Sequence, residues 1–356
     1  MPAVKDKNGT WISRFYSLNY LGEKKQHFKR GFKTKKEALE YERETLAKAN
    51  FNTSMSFGVL YELYLDDISN RLREHTIIGK KYLIETKILP FFRNMKLESV
   101  TPIVIRKWQN ELLNTLNPKT NKPYTQTYIK TINNQLVAIF NYARKYHSLK
   151  ENPCHLAGTI GKKNAEEMEI WTCEEFDKFI NELKNKPISY MGFTLLFWSG
   201  MRIGELLALT VKDIDFDKNK IKINKSYQRL KGKDIITAPK TPKSKRDIDI
   251  PSDIMLLLKE YLNKLYKYTA NTRLFNCTKH QFEHDIDTYS KKAGVKKIRV
   301  HDLRHSHASY LINHNVNILA ISNRLGHEKI ETTLNIYSHL YKESQNYMID
   351  ILNNRK

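Results

Sequence analysis

The chain of 356 residues carries 61 Lys and Arg against 38 Asp and Glu, a formal net charge of +23, and 40% of its residues are hydrophobic. That length and apolar content suffice for two or three domains with cores, and the charge favours a polyanionic partner, a feature shared by DNA-binding, ribosomal, RNA-binding and membrane-surface proteins. No apolar run approaches the roughly 18 residues of a membrane span. The N-terminus lacks a signal peptide's apolar core, and Cys154, Cys173 and Cys277 form no Cys-x-x-Cys pair, so a cytoplasmic protein with reduced thiols is expected.

Residues 1–52 read as a small basic module, with twelve Lys and Arg against six Asp and Glu over residues 1–50. Asn8-Gly9 is a hairpin turn, the stretch 11–16 alternates like a two-faced strand, Leu21-Gly22-Glu23 turns again, and 26–30 supplies a third strand. Thr34-Lys35-Lys36-Glu37 has the form of a capping box and opens a helix through Lys48. A three-stranded sheet of this charge can lie in a major groove. The blander alternative is a solvated hairpin that aids solubility.

Residues 53–155 are expected to be all-helical. Phe57, Leu60, Tyr61 and Tyr64 recur at helical spacing, and Thr101-Pro102 is a cap followed by proline at the first helical position, before the stripe Ile105, Trp108, Leu112. Tyr128, Ile132, Leu136, Ile139, Phe140 and Ala143 form a third stripe, closed by Asn152-Pro153. Lys130, Arg144 and Lys145 are available to contact phosphates or simply to be solvated. A linker follows over 156–170, and Thr172 with Glu175 opens the last domain, 171–356, with a second capping box. The fold class expected is α+β, mostly helical, with a small sheet in this last domain. Asp213, Asp215 and Asp217 imitate a calcium loop, but Lys218 and Asn224 stand where that loop needs glycine and a bidentate glutamate. The stretches 220–223, 235–237 and 247–250 read as short strands, with turns at Lys231-Gly232 and Lys243-Ser244.

The chemistry concentrates in this last domain. Arg202 follows the apolar run 191–198 and the turn Ser199-Gly200, and His301 and Arg304 are three apart on one helical face. His327 follows Gly326, where a helix ends, and Tyr337 lies one helical segment further. Two arginines, two histidines and a tyrosine without a carboxylate cluster suit holding a phosphodiester and attacking it with a phenol. Arg202 with Gly204-Glu205-Leu206, then His301-x-x-Arg304, Leu325-Gly326-His327 and Tyr337-x-His339, resemble the signature of the tyrosine site-specific recombinases, most of all the integrases of temperate phages and conjugative transposons.

The resemblance implies an arm-type DNA-binding module over 1–52, a core-binding helical domain over 53–155 and a catalytic domain over 171–356. It implies Tyr337 as nucleophile, Arg202 and Arg304 as a phosphate clamp, His301 as base, His327 as a hydrogen-bond donor, and a lysine on a sheet turn as general acid. Lys240-Thr241 matches the lysine's usual context, with Lys243 and Lys245 as rivals. Strand rejoining through a phosphotyrosyl bond needs no cofactor and no metal. The partners implied are double-stranded DNA at core and arm sites, three further subunits in a tetramer, an excisionase or directionality factor and a host DNA-bending protein, with no membrane.

Glu205 is expected to orient Arg202 or cap a neighbour, and His305, His307, His314 and His339 to be structural or peripheral. His301 and His305 have the spacing of a helical zinc pair, but Arg304 on the same face would repel the metal. Residues 318–337 can also be read as a helix-turn-helix in a regulator without catalysis, and a type IB topoisomerase would share the chemistry. Beyond Tyr337, the stripe Leu340, Ser344, Tyr347, Met348 and Ile351 predicts a terminal helix that docks on a neighbouring subunit or on its own domain.

Overall fold

β1 (Val4–Lys5), β2 (Trp11–Leu18) and β3 (Lys24–Phe32) pair antiparallel in that order. The structure, a computed structural model, describes residues 3–18, 24–50, 55–147, 149–162, 169–239, 241–265, 267–337 and 352–353. It divides into two compact units, 1–166 and 167–356. Alternation along β2 buries Ser13, Phe15 and Ser17 and leaves Arg14 and Tyr16 outside, opposite Phe28 and Gln26 of β3. Phe15 meets Tyr41 of α1 (Lys35–Asn50) edge to face. At the start of α1 the Thr34 hydroxyl accepts from the Glu37 amide at 3.2 Å, while the Glu37 carboxylate accepts from the Lys33 amide, one residue earlier than a capping box requires. The turn read at 21–23 lies outside the described residues.

The rest of the first unit is helical: α2 (Phe57–Ser69), α3 (Glu74–Lys87), α4 (Leu89–Phe92), α5 (Pro102–Asn114), α6 (Gln126–Tyr146) and α7 (Pro153–Ala157). Side chains of Ser56, Thr101 and Thr125 cap α2, α5 and α6, each accepting an otherwise unpaired amide of the first turn. The stripes of those helices converge on Phe57, Phe92, Trp108, Leu136 and Phe140. In α6 Ile129 is the fully buried member of the first turn and Tyr128 only half-buried, a shift of one position from the stripe read in the sequence. Only Ile84 of α3 is fully buried, so that helix carries no stripe from which to read it.

In the second unit α8 (Cys173–Asn181) opens with the complete capping box of Thr172 and Glu175. α9 (Pro187–Ser199) is largely apolar and mostly buried, because α8, α10 (Ile203–Ala208), α11 (Ser252–Asn263), α12 (Lys279–Lys292) and α13 (Asp302–Asn313) pack around it. At Gly192 a Cβ would lie 2.4 Å from the ring of Phe282, so α12 can approach α9 this closely only over a glycine. α14 (Ile318–Leu325) and α15 (Ile330–Tyr337) complete the helices described. Among the described residues the strands form two sheets: β4 (Ile214–Asp215), β5 (Lys220–Ile223) and β8 (Arg246–Asp249) in one, and the hairpin β6 (Ser226–Leu230) and β7 (Lys233–Thr237) in another. The strand expected at 235–237 thus belongs to a separate hairpin rather than to the sheet of β5 and β8. Asp213, first of the calcium-like run, is buried and takes Lys225, Thr210 and Asn224 as partners. Among the described residues no helix is long and apolar enough to cross a membrane.

Candidate active site

The backbone leaving α9 turns at Gly200, where φ is +66° and a Cβ would lie 2.6 Å from the His307 ring. Glycine is therefore required twice over, by the left-handed conformation and by the close approach. The turn delivers Arg202 to the N-cap of α10 in an extended conformation. The Glu205 carboxylate reaches back to the Arg202 amide at 2.9 Å and to its Nη1 at 2.8 Å. Burial opposes ionisation of Glu205, yet the hydrogen bonds and charge of Arg246, followed by Arg202, outweigh it and hold the carboxyl below its ordinary range. Glu205 is 4% exposed and the Arg202 side chain 36%, so the carboxylate is fixed in the interior while the guanidinium faces outward.

Arg304, in the first turn of α13, is buried and donates Nη1 to the carbonyl of Gly200 at 2.8 Å and Nη2 to that of Leu325 at 2.6 Å. Burial, then the charge of Arg202, pulls its pKa down to about 9, which leaves it cationic at neutral pH. The guanidinium thus joins the turn after α9 to the end of α14 and brings its own charge beside Arg202. Arg299 forks onto Asp302, which also accepts the Arg299 amide at 2.8 Å, fixing the approach to α13 just before His301. The pKa of His301 is lowered by the packing behind it and by the charges of Arg304 and Arg202.

Tyr337, at the end of α15, is 2% exposed among Ala308, Ile312, Ile321 and Leu325. Its hydroxyl lies 2.6 Å from Nδ1 of His305. Of the two roles expected for His305, structural or peripheral, its position fits the structural one: it follows Arg304 on α13, one turn beyond His301, and its ring meets both His301 and Tyr337. Its pKa falls to about 4 through burial and the neighbouring His301, so it is neutral at pH 7. Burial raises the Tyr337 phenol above its ordinary range against the opposing pull of Arg304. Nothing in the periodicity distinguished His305, because its partner lies 32 residues away.

His327 follows Gly326, whose left-handed φ of +68° ends α14. Its Nδ1 lies 2.8 Å from the Thr333 hydroxyl, and burial together with Arg304 and Arg202 lowers its pKa to about 4. Lys243 is exposed and donates to the Glu328 carbonyl at 3.1 Å, which brings one rival lysine to the His327 loop. Lys245 is exposed, and Lys240 and His339 lie outside the described residues. Lys225, on the same side of the sequence, is held by Asp213 and Thr210. His307 accepts from Arg324 at 3.0 Å and is structural, while His314 is exposed with Nδ1 against the Tyr310 carbonyl. Arg246, on β8, escaped the sequence reading altogether: it is half-buried, with its side chain turned inward, and forks onto Glu205. A cleft beside His301 is lined by Lys279, His280, His284, Lys297 and Arg299. Among the described residues no three His, Cys, Asp or Glu side chains gather as metal ligands would.

Residues 170–344 match the model of the phage integrase family, 56–113 that of the phage integrase N-terminal SAM-like domain, and 2–49 that of an arm DNA-binding domain. The ICEBs1 integrase of Bacillus subtilis (strain 168) is 31% identical over 339 residues, covering 90% of each chain. The chain belongs to the phage integrase family of tyrosine recombinases. A XerC-like tyrosine recombinase of Caldanaerobacter subterraneus subsp. tengcongensis is 30% identical over 364 residues, again with 90% of each chain covered. The fold of this integrase is shared with the Tn1549 transposon integrase solved in complex with transposon right end DNA, at a TM-score of 0.69 and 22% identity, over 84% of this chain and 100% of that one. A lambda integrase dimer bound to a core site aligns over 94% of each chain, at a TM-score of 0.61 and 15% identity. The integrase is a tyrosine site-specific recombinase, and neither the regulator nor the topoisomerase reading finds support.

Proposed function

We propose that this integrase cuts and rejoins DNA with Tyr337 as nucleophile, to integrate or excise a mobile element. The observation that carries the reading is that Tyr337 packs against α13, the helix that His301 immediately precedes and that carries Arg304, while Arg304 itself reaches the turn that presents Arg202. Arg202 and Arg304 receive the two non-bridging oxygens of the scissile phosphate, whose charge grows toward the transition state, so their contribution falls on the rate more than on binding. The Tyr337 oxygen attacks phosphorus, the bond to the 5′ oxygen breaks, and a 3′-phosphotyrosyl DNA with a free 5′ hydroxyl results. His301, kept neutral by its surroundings, takes the phenolic proton. His327 donates to a phosphate oxygen, and Lys240, or its rivals Lys243 and Lys245, protonates the departing oxygen. Reversal with a different 5′ hydroxyl rejoins strands, with neither a metal nor a nucleotide cofactor.

Residues 53–155 and 171–356 hold core sites in this scheme and 1–52 hold arm sites, supported by the match to an arm DNA-binding model and by the exposed Arg14, Tyr16, Phe28 and Arg30 of its sheet. Four subunits act together in the cytoplasm, by analogy with the lambda integrase tetramer bound to a Holliday junction. An excisionase and a DNA-bending protein assist. Tyr337→Phe tests the core of the proposal: it should bind core-site DNA normally and form no covalent adduct on a nicked suicide substrate. An adduct that persists in this variant removes Tyr337 from the role.

A further inference from the structure

Glu205 has more partners than its place beside Arg202 requires. Its Oε1 accepts from Nη1 of Arg202 at 2.8 Å and Nη1 of Arg246 at 3.2 Å, and its Oε2 from the Arg202 amide and Nη2 of Arg246, both at 2.9 Å. One buried carboxylate thus stands between two guanidiniums, with acceptor capacity for about four hydrogen bonds, all of it in use. The Arg246 side chain is 7% exposed, against 36% for Arg202. The inner arginine fills the carboxylate's fork and leaves the outer one with a single side-chain contact to it.

Arg246 also holds the other half of the site. Its Nε donates to the Arg324 carbonyl at 2.7 Å and its Nη1 to that of Ser244 at 3.1 Å. The last two carbonyls of α14 are therefore capped by arginines from distant segments, Arg324 by Arg246 and Leu325 by Arg304, where the helix end carries partial negative charge. The approach depends on Gly326, where a Cβ would lie 3.0 Å from Cδ of Arg246 and 3.1 Å from the Lys243 carbonyl.

We propose that Arg246 is a positioning residue of the recombinase: by filling the fork of Glu205 it keeps that carboxylate from closing on Arg202. Without Arg246 the buried carboxylate has two empty acceptor sites, and the nearest cation to fill them is Arg202. A guanidinium drawn into that pair is neutralised and turned away from phosphate. The loss falls on cleavage and leaves DNA affinity, which the whole basic surface supplies, nearly unchanged.

The inference rests on Arg202 as a clamp residue, and the experiment separates the two. Adduct formation on a nicked suicide substrate is measured for Arg202→Ala, Arg246→Met and the double variant, with single-site binding and melting temperature as controls. Arg246→Met should slow adduct formation by about 30-fold, and because residues that act as a unit are not additive, the double variant should be no slower than Arg202→Ala alone. Losses that multiply would show that Arg246 acts independently of Arg202 and overturn the proposal. Normal cleavage by Arg202→Ala instead sinks the clamp reading itself. If Arg246→Met does not fold, Arg246→Lys enters the same cycle: its single ammonium cannot fill the fork, so slowed cleavage is expected that does not multiply with Arg202→Ala. Cleavage by Arg246→Lys at the wild-type rate overturns the proposal.

Discussion

His305 lies in the most strongly patterned stretch of the chain, 301–305, yet its contact with Tyr337 is a product of the fold. The residues to which we assign the reaction were legible because the spacing of His301, Arg304, His327 and Tyr337 is itself a pattern. Arg246 and His305, which hold those residues, were not, since each is defined by a partner 32 or more positions away. Burial of neutral imidazoles has a measurable effect on stability. His305 and His327 titrate near 6.5 when unfolded and at about 4 in the fold. Below 6.5 the unfolded chain takes up protons that the fold refuses, so stability falls with pH until about 4, by roughly 1.4 kcal/mol per histidine per pH unit. Melting temperature should drop between pH 7 and pH 5, and a flat profile there would count against neutral buried imidazoles. The identity of the acid is a second question at this scale. Lys240→Ala should fail on ordinary DNA and recover when sulfur replaces the scissile 5′ oxygen, because that leaving group needs no proton. Since Lys243 already reaches the Glu328 carbonyl beside His327, the same rescue in Lys243→Ala but not in Lys240→Ala would transfer the role to it.

At the level of elements, helices with capped starts and strong stripes, such as α5, α6 and α8, were readable because cap and stripe are local. α3 was not, since its contact with the core comes almost wholly from Ile84, and the split of the strands into a sheet and a hairpin was not, since pairing joins residues far apart in sequence. The small sheet of 1–52 was readable from Asn8-Gly9 and the alternation of β2. One face of that sheet packs on α1 through Phe15 while the other exposes Tyr16 and Phe28, 55% and 51% accessible, beside Arg14 and Arg30. Aromatic and cationic side chains on an open sheet face suit contact with DNA rather than mere solubility. A protein beginning near Ser54 should therefore still cleave core sites and lose recombination that depends on flanking arm sites. Equal recombination by the shortened protein would return the module to the solubility role.

At the level of the whole molecule, assembly is the property that a single chain carries least directly. The stripe of Leu340, Ser344, Tyr347, Met348 and Ile351 lies beyond the described residues, and burying three or four such side chains contributes roughly 5 kcal/mol wherever it docks. A tail that contacts the next subunit would close a ring, and on that reading truncation after Leu340 should weaken cooperative assembly on paired sites while single-site binding stays near normal. Unfolding of the truncated protein as an isolated monomer would assign the tail to its own domain instead. The hydrogen bonds that build the catalytic unit also fix when it can exist. Arg304 reaches Gly200 across 104 positions, and Ser306 receives the Trp171 amide across 135. Contacts of such sequence separation close late in folding, because the entropy of the intervening loop must be overcome first. A chain still on the ribosome with only residues up to α12 outside it lacks Arg304 and Tyr337, half of the proposed clamp and the proposed nucleophile. On the proposed mechanism, such a nascent chain can form no phosphotyrosyl bond.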